Sequence, residues 1–223
     1  MYQKEKNEVI KAGIKLDRYG LVALSGGNIS VRLGEHVLVT PSGMIYEDMV
    51  EDDVLVVDLE GNIVEGTRKS SVDTSALLYI LNADETINAV IHTHQPYATA
   101  VGLVADELPC NLTTMANAVM GSALVAPYSS TATEQMGIEA VNYLKGRRAV
   151  ILKHHGVIAV GDSLKQALYA CIYLEEAAKT YAIAKSFGGE MAMLTDDQIQ
   201  QAVDVFKYYG QNTPKYPGVK SNQ

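Results

Sequence analysis

Cysteine and histidine are both scarce in this 223-residue chain, with two of the first and five of the second. Cys110 and Cys171 stand far apart and form no CxxC pair, which excludes a disulfide scaffold and a zinc knuckle and points to reduced, buried thiols in a cytoplasmic protein. Long basic stretches are missing and the formal net charge is −8, so nucleic acid is not expected as a partner. No apolar run approaches the ~20 residues of a membrane-spanning helix. The opening MYQKEKNEVIKAG carries charges and no continuous apolar core, so a signal peptide is not expected. Internal repeats, low-complexity tracts and Pro/Gly/Ser linkers are absent before the end of the chain. These absences leave one domain over 1–209, followed by an extended or flexible tail, GQNTPKYPGVKSNQ, over 210–223.

Hydrophobic residues make up 48% and charged residues 20% of the chain, enough for a substantial core. Val9, Ile10, Gly13, Ile14 and Leu16 fall near helical spacing, and Gly20 can end that helix. HVLVT (36–40) and DVLVVDL (53–59) read as strands, with GNIVEG (61–66) as a hairpin return. DTSALLYILNA reads as a helix capped by Asp73 or a nearby serine. NAVIHTH reads as a strand, 96–104 as a short helix, and AVILKHHG and GVIAVG as two strands joined at 154–156. Residues 163–185 form a long helix. TDDQIQQAVDVFKYYG forms another, capped by Thr195 and stopping at Gly210. Interspersed strands and helices predict an α/β fold, a mixed sheet with helices on its faces.

Four of the five histidines lie in two short segments, AVIHTHQPYATA and KHHGVIAV. Alternate strand residues share a face, so His92 and His94 project together, with Thr93 opposite. H-x-H on a strand presents two imidazoles to one metal ion. His155, before Gly156 at a strand junction, is a candidate third ligand, and three protein ligands leave the open position of a catalytic site. His154 falls on the other side of the pleat, as a neighbour. Three loops can wrap an anion with backbone N–H groups: SGGNIS (25–30), TPSG (40–43) and TRKSSVDTS (67–75), the last ahead of a helix N-terminus. Asp73 has two readings, a helix cap or a carboxylate that serves a metal or moves a proton.

SGGNIS, TPSG, SSVD, HTH and KHHG, in this order and at these intervals, resemble the class II aldolase/adducin family, whose zinc members include L-fuculose-1-phosphate aldolase and L-ribulose-5-phosphate 4-epimerase. APYSS (126–130), YLEEAA and FKYYGQ (206–211) extend the resemblance over nearly the whole chain. It implies a three-layer fold with a mainly antiparallel central sheet covered by helices on both faces, and a homotetramer with active sites at subunit interfaces. It implies one Zn²⁺ per subunit on His92, His94 and His155, and Asp73 as the catalytic acid or base. It implies phosphate binding by Gly27, Asn28, Ser42, Gly43 and Ser71, and a Tyr209 that reaches the site of a neighbouring subunit. The implied activity is cleavage of a ketose 1-phosphate, such as L-fuculose 1-phosphate or a related pentulose or deoxypentulose 1-phosphate, to dihydroxyacetone phosphate and a small aldehyde.

Departures from the family pattern sort its members. The family acid is Glu in the fuculose-phosphate aldolase and Asp in the epimerase, so Asp73 leans toward the epimerase. The epimerase also carries an aspartate where Asn117 stands, and an amide cannot shuttle a proton as a carboxylate does. Val72 replaces a second serine of the phosphate loop. Thr113 and Thr131 replace aromatic residues of the aldolase pocket, while Phe206 is kept. The expectation is an aldolase with a reshaped aldehyde pocket. The alternatives are the epimerase, a sugar-phosphate dehydratase or decarboxylase, and a non-catalytic interaction module of the adducin type, which would be expected to lack the histidines.

Overall fold

The computed structural model describes residues 1–209 together with Gln211 and Pro214; the stop expected at Gly210 and most of the expected tail lie outside the described residues. The chain opens with helix α1 (Gln3–Arg18) and continues through strands β1 (Asn28–Leu33), β2 (His36–Val39), β3 (Leu55–Asp58) and β4 (Ile63–Glu65). Helix α2 (Thr74–Ala83), strand β5 (Ala89–Thr93), helix α3 (Pro96–Val104) and strand β6 (Glu107–Leu108) come after them. Next are helix α4 (Thr113–Val119), strand β7 (Ala123–Ala126), helix α5 (Glu134–Leu144) and the strand pair β8 (Ala149–Leu152) and β9 (Gly156–Gly161). Helices α6 (Leu164–Ser186) and α7 (Asp196–Phe206) close the described part.

The strands form one sheet in the order β4-β3-β2-β1-β5-β9-β8-β7-β6. Every neighbouring pair is antiparallel except β7 and β8, which run parallel. A parallel pair needs a crossover, and α5 supplies it. Period-2 alternation divides each strand between two cores. Ile29, Leu38, Val56, Ile91, Ile151 and Val157 point to one face, where α1, α3 and α6 pack against the sheet or one another and α4 and α7 add to the layer. Val37, Val39, Val57, Val90, Val150 and Ile158 point to the other, covered by α2 and α5. The result is the expected three-layer arrangement. Helices α4 and α5 and strands β1, β6 and β7 are additions to the sequence reading; β6 has two residues and α4 seven, too few to show a period, while α5 buries Met136, Ala140 and Leu144 at helical spacing.

The histidine-bearing strand lies in the middle of this sheet. The long-range partners of β5 are β1, with Asn28 opposite His92, and β9, with Ile158 opposite His92. All five residues of β5 are buried. Far along the chain, the Thr195 cap of α7 forms as expected, its hydroxyl accepting from the Gln198 N–H while the Gln198 side chain returns to the Thr195 N–H.

Candidate active site

At the end of β5 the chain leaves the sheet, and β9 begins beside it. Gly156 pairs with Leu152 at the end of β8, and a Cβ built on Gly156 would stand 2.1 Å from the Thr93 carbonyl oxygen. Only glycine admits that approach, which carries His155 to the side of His92 and His94. Gly27 does the same from β1: its φ is +74°, and a Cβ there would stand 2.6 Å from the His92 carbonyl oxygen.

The three imidazoles meet. Among the described residues, their ligand nitrogens lie within 4.8 Å of one another. The ring centroids are 4.8 Å apart for His92 and His94, 4.6 Å for His92 and His155, and 5.3 Å for His94 and His155. His92 is buried, His155 half-buried and His94 exposed. The Nδ1–H of His92 donates to the Val157 carbonyl at 2.9 Å. That bond leaves the Nε2 lone pair of His92 turned to His94, whose Nε2 is 3.1 Å away. Nδ1 of His155 is buried with no hydrogen-bond partner.

Burial is the largest cause holding all three imidazoles below their usual pKa. Neighbouring imidazoles push His92 and His155 further down, whereas the Asp73 carboxylate pulls each of the three back up. Neutral imidazoles, one locked in its Nε2-acceptor tautomer and one with an orphaned buried nitrogen, are what a metal ion requires of a three-histidine ligand set. The residues fit such an ion, with the exposed His94 side open toward solvent.

Asp73 occupies the N-cap position of α2, yet its side chain makes no cap hydrogen bond. The carboxylate instead accepts from Asn28 Nδ2 at 2.9 Å and from the Ala132 N–H at 3.2 Å, and it is buried. The side chain of Asp73 thus does not cap α2, and its charge acts on the three imidazoles. Asn28 Nδ2 also donates to Ser71 Oγ at 3.0 Å, so the first and third glycine- and serine-rich loops are joined. The second joins them through the Pro41–Ser70 bridge and the Ser42 N–H, which donates to Lys69 O at 2.8 Å. Gly27, Asn28, Ser42, Gly43 and Ser71 therefore come from loops that converge beside Asp73.

Tyr209 is elsewhere. It is exposed and stacks on Phe206 with centroids 5.2 Å apart. With Phe206, Asn117 and Arg148 it lines a cavity of about 520 Å³. Arg148 precedes β8, whereas the opposite end of β8 pairs Leu152 with Gly156 next to His155. Tyr209 and the histidines of one chain thus face opposite ends of the sheet. Thr131 is exposed in the loop that sends the Ala132 N–H to Asp73, and His154 is an exposed turn residue whose ring lies 6.4 Å from Tyr128.

The model of the Class II Aldolase and Adducin N-terminal domain matches residues 7–182. The chain belongs to the class II aldolase and adducin family. It is 35% identical over 213 residues to the 5-deoxy-D-ribulose 1-phosphate aldolase of Bacillus thuringiensis serovar kurstaki, covering 95% of this chain and 99% of that protein. It is 31% identical over 207 residues to the 5-methylthioribulose-1-phosphate/5-deoxyribulose-1-phosphate aldolase of Rhodospirillum rubrum, covering 93% of each. A solved L-fuculose 1-phosphate aldolase superposes with a TM-score of 0.85 at 34% identity, covering 91% of this chain and 96% of that one. The protein is a class II aldehyde-lyase, and the histidine cluster is where a member of this metal-dependent family could hold its ion.

Two polar contributors escape a reading of motifs. The Ala132 N–H reaches Asp73 from a loop with no signature of its own. Glu175 is a buried carboxylate within α6. Its signal is a charge at helical spacing among Cys171, Leu174 and Ala178, which are all buried.

Proposed function

We propose that the protein is a zinc-dependent aldolase that cleaves a ketose 1-phosphate, a 5-deoxypentulose 1-phosphate first among them, to dihydroxyacetone phosphate and a small aldehyde. The observation that carries the reading is the Asp73 carboxylate, held by Asn28 and the Ala132 N–H beside three converging imidazoles. His92, His94 and His155 would hold the ion. When bound, Zn²⁺ supplies Lewis acidity that stabilises negative charge developing on the substrate oxygens.

The chain's own groups do the rest. Gly27, Asn28, Ser42, Gly43 and Ser71 bind the phosphate, a contact remote from the breaking bond that orients it. In the condensation direction Asp73 removes the C3 proton of dihydroxyacetone phosphate, and in cleavage it returns that proton. Asn28 holds the carboxylate and the Ser71 hydroxyl at once, tying proton transfer to phosphate binding. Tyr209 of the partner subunit exchanges the proton on the aldehyde oxygen. This assignment needs an oligomer, because Tyr209 lies away from the histidines of its own chain, and we propose a homotetramer. The free, buried Cys110 and Cys171 suit a reducing cytoplasm.

The deoxypentulose preference rests on the small Thr113 and Thr131 side chains and on the two relatives named for deoxyribulose phosphates. The test is a coupled assay for dihydroxyacetone phosphate, offering 5-deoxyribulose 1-phosphate, L-fuculose 1-phosphate and ribulose 1-phosphate, each with chelator and with restored Zn²⁺. Triose release that chelator abolishes and Zn²⁺ restores is expected, fastest with the deoxy sugar. Ribulose 5-phosphate is offered in parallel, and its conversion to xylulose 5-phosphate with no triose released from any of the four sugars would replace the aldolase by an epimerase.

A further inference from the structure

We propose that Glu175, in the middle of α6, is a positioning residue for the metal ligand His94, acting through the first turn of α3. The inference rests on the metal-centre reading of the three histidines. His94 comes directly after the last residue of β5 and precedes the α3 N-cap by one position. Its own backbone N–H is tied only to the Leu21 carbonyl, at 3.1 Å, and its ring is exposed. Whatever holds the 94–96 turn therefore decides where that imidazole points.

The first N–H groups of a helix have no partner within it. In α3 the usual local remedy is missing, since the N-cap Gln95 makes no side-chain cap hydrogen bond. Pro96, at the first helical position, has no N–H to satisfy. The next two N–H groups are taken by one carboxylate: Tyr97 N–H donates to Glu175 Oε1 at 2.9 Å and Ala98 N–H to Oε2 at 3.0 Å. The partners are separated by 78 and 77 residues in sequence, so α6 supplies in trans to the helix what a serine or aspartate cap supplies locally. Negative charge at this end also suits the helix dipole.

Gln95 is free for a second clamp. Its Oε1 accepts from Thr93 Oγ1 at 2.7 Å and its Nε2 donates to the Cys171 carbonyl at 3.2 Å. Thr93 and Gln95 are both 0% exposed. The residues flanking His94 on each side are thus bolted to one another and to α6, and Glu175 sits one helical turn beyond Cys171 on the same helix. A charged group buried among apolar residues is costly unless it is fully bonded, and here both oxygens bond to the backbone that carries a ligand. Outer groups that orient a ligand commonly change metal affinity by about 10–100-fold when removed.

The test measures Zn²⁺ affinity by chelator competition on the purified full chain, together with thermal unfolding, for wild type, Glu175→Ala, Glu175→Gln and Leu174→Ala. Leu174 is fully buried next to Glu175 and takes no part in these hydrogen bonds, so its truncation reports destabilisation of α6 without loss of any of them. We expect Glu175→Ala to weaken Zn²⁺ binding by about 10-fold or more. Glu175→Gln, which keeps one acceptor, should lose less, and Leu174→Ala should bind as wild type despite a lower Tm. Glutamate variants that bind Zn²⁺ like wild type while melting earlier would make Glu175 a helix cap and nothing more. Should Glu175→Ala not fold, Glu175→Gln against Leu174→Ala decides by the same comparison. A wild-type chain that takes up no Zn²⁺ overturns the metal-centre reading and this inference with it, an outcome distinct from variants that match a zinc-binding wild type.

Discussion

His92 is buried where a protonated imidazole cannot be solvated, with two more imidazoles against it. Its pKa therefore lies well below 6.5 in the folded state, with burial as the leading cause and His155 and His94 next. An unfolded imidazole binds its proton near 6.5. Below that value the unfolded chain gains a proton that the folded chain refuses, so the stability present at higher pH is lost as pH falls. For the metal-free protein, urea titrations from pH 7 to pH 5 should show stability falling by up to about 1.4 kcal/mol per unit from His92, with His94 and His155 acting in the same direction. A flat profile would mean that the imidazoles are solvated. At this scale the sequence was informative about which residues but not how they bond. HTH and KHHG name the cluster, yet nothing near residue 73 says that Asn28 and the Ala132 N–H, rather than the α2 backbone, receive its carboxylate.

Among the elements, the pairing of β5 with β9 makes the site. The continuous apolar, β-branched runs in 89–93 and 156–161 already mark both as strands, and Gly156 marks the junction. The required closeness is visible only in three dimensions, because the carbonyl that excludes a side chain at Gly156 belongs to Thr93, on another strand. Gly156→Ala puts a methyl group where the Thr93 carbonyl stands. We expect a loss of about 1–3 kcal/mol in chemical denaturation, accompanied by weaker Zn²⁺ binding, since relief of the clash moves His155 from His92. Unchanged stability and affinity would show that the turn yields without cost. The helices tell the complementary story. α6 and α7 are legible from their composition and cap, whereas α4 has only seven residues and packs on α6 and α7, and α5, as long as α7, has no side-chain cap to announce it.

For the whole molecule, the decisive fact is that Tyr209 and the histidines of one chain face opposite ends of the sheet. Under the tetramer reading, Asp73→Asn and Tyr209→Phe damage different halves of a shared site. Each variant alone should lose dihydroxyacetone phosphate release, by about 10²–10⁴-fold for the general-base change. Mixed, dissociated and reassembled, the two should recover a fraction of wild-type activity, because some sites then combine an intact Asp73 with an intact Tyr209. No recovery on reassembly would overturn the shared site, and a Tyr209→Phe variant with wild-type activity would place Tyr209 outside the reaction.

The hydrogen bond from His92 to the Val157 carbonyl joins residues 65 positions apart, and this has a bearing on how the ion is acquired. During synthesis two ligands emerge together, and the third arrives only after the segment from α3 to β8 has been made. Closing so long a loop is slow and costs chain entropy, so a nascent chain that has reached β5 offers only a two-nitrogen foothold. Metal capture is then a late event in the life of each molecule. Under the proposed metal-centre reading it happens on a sheet that has already zipped, with the ion entering past the exposed ring of His94, and metal scarcity would leave folded, empty protein rather than unfolded chains.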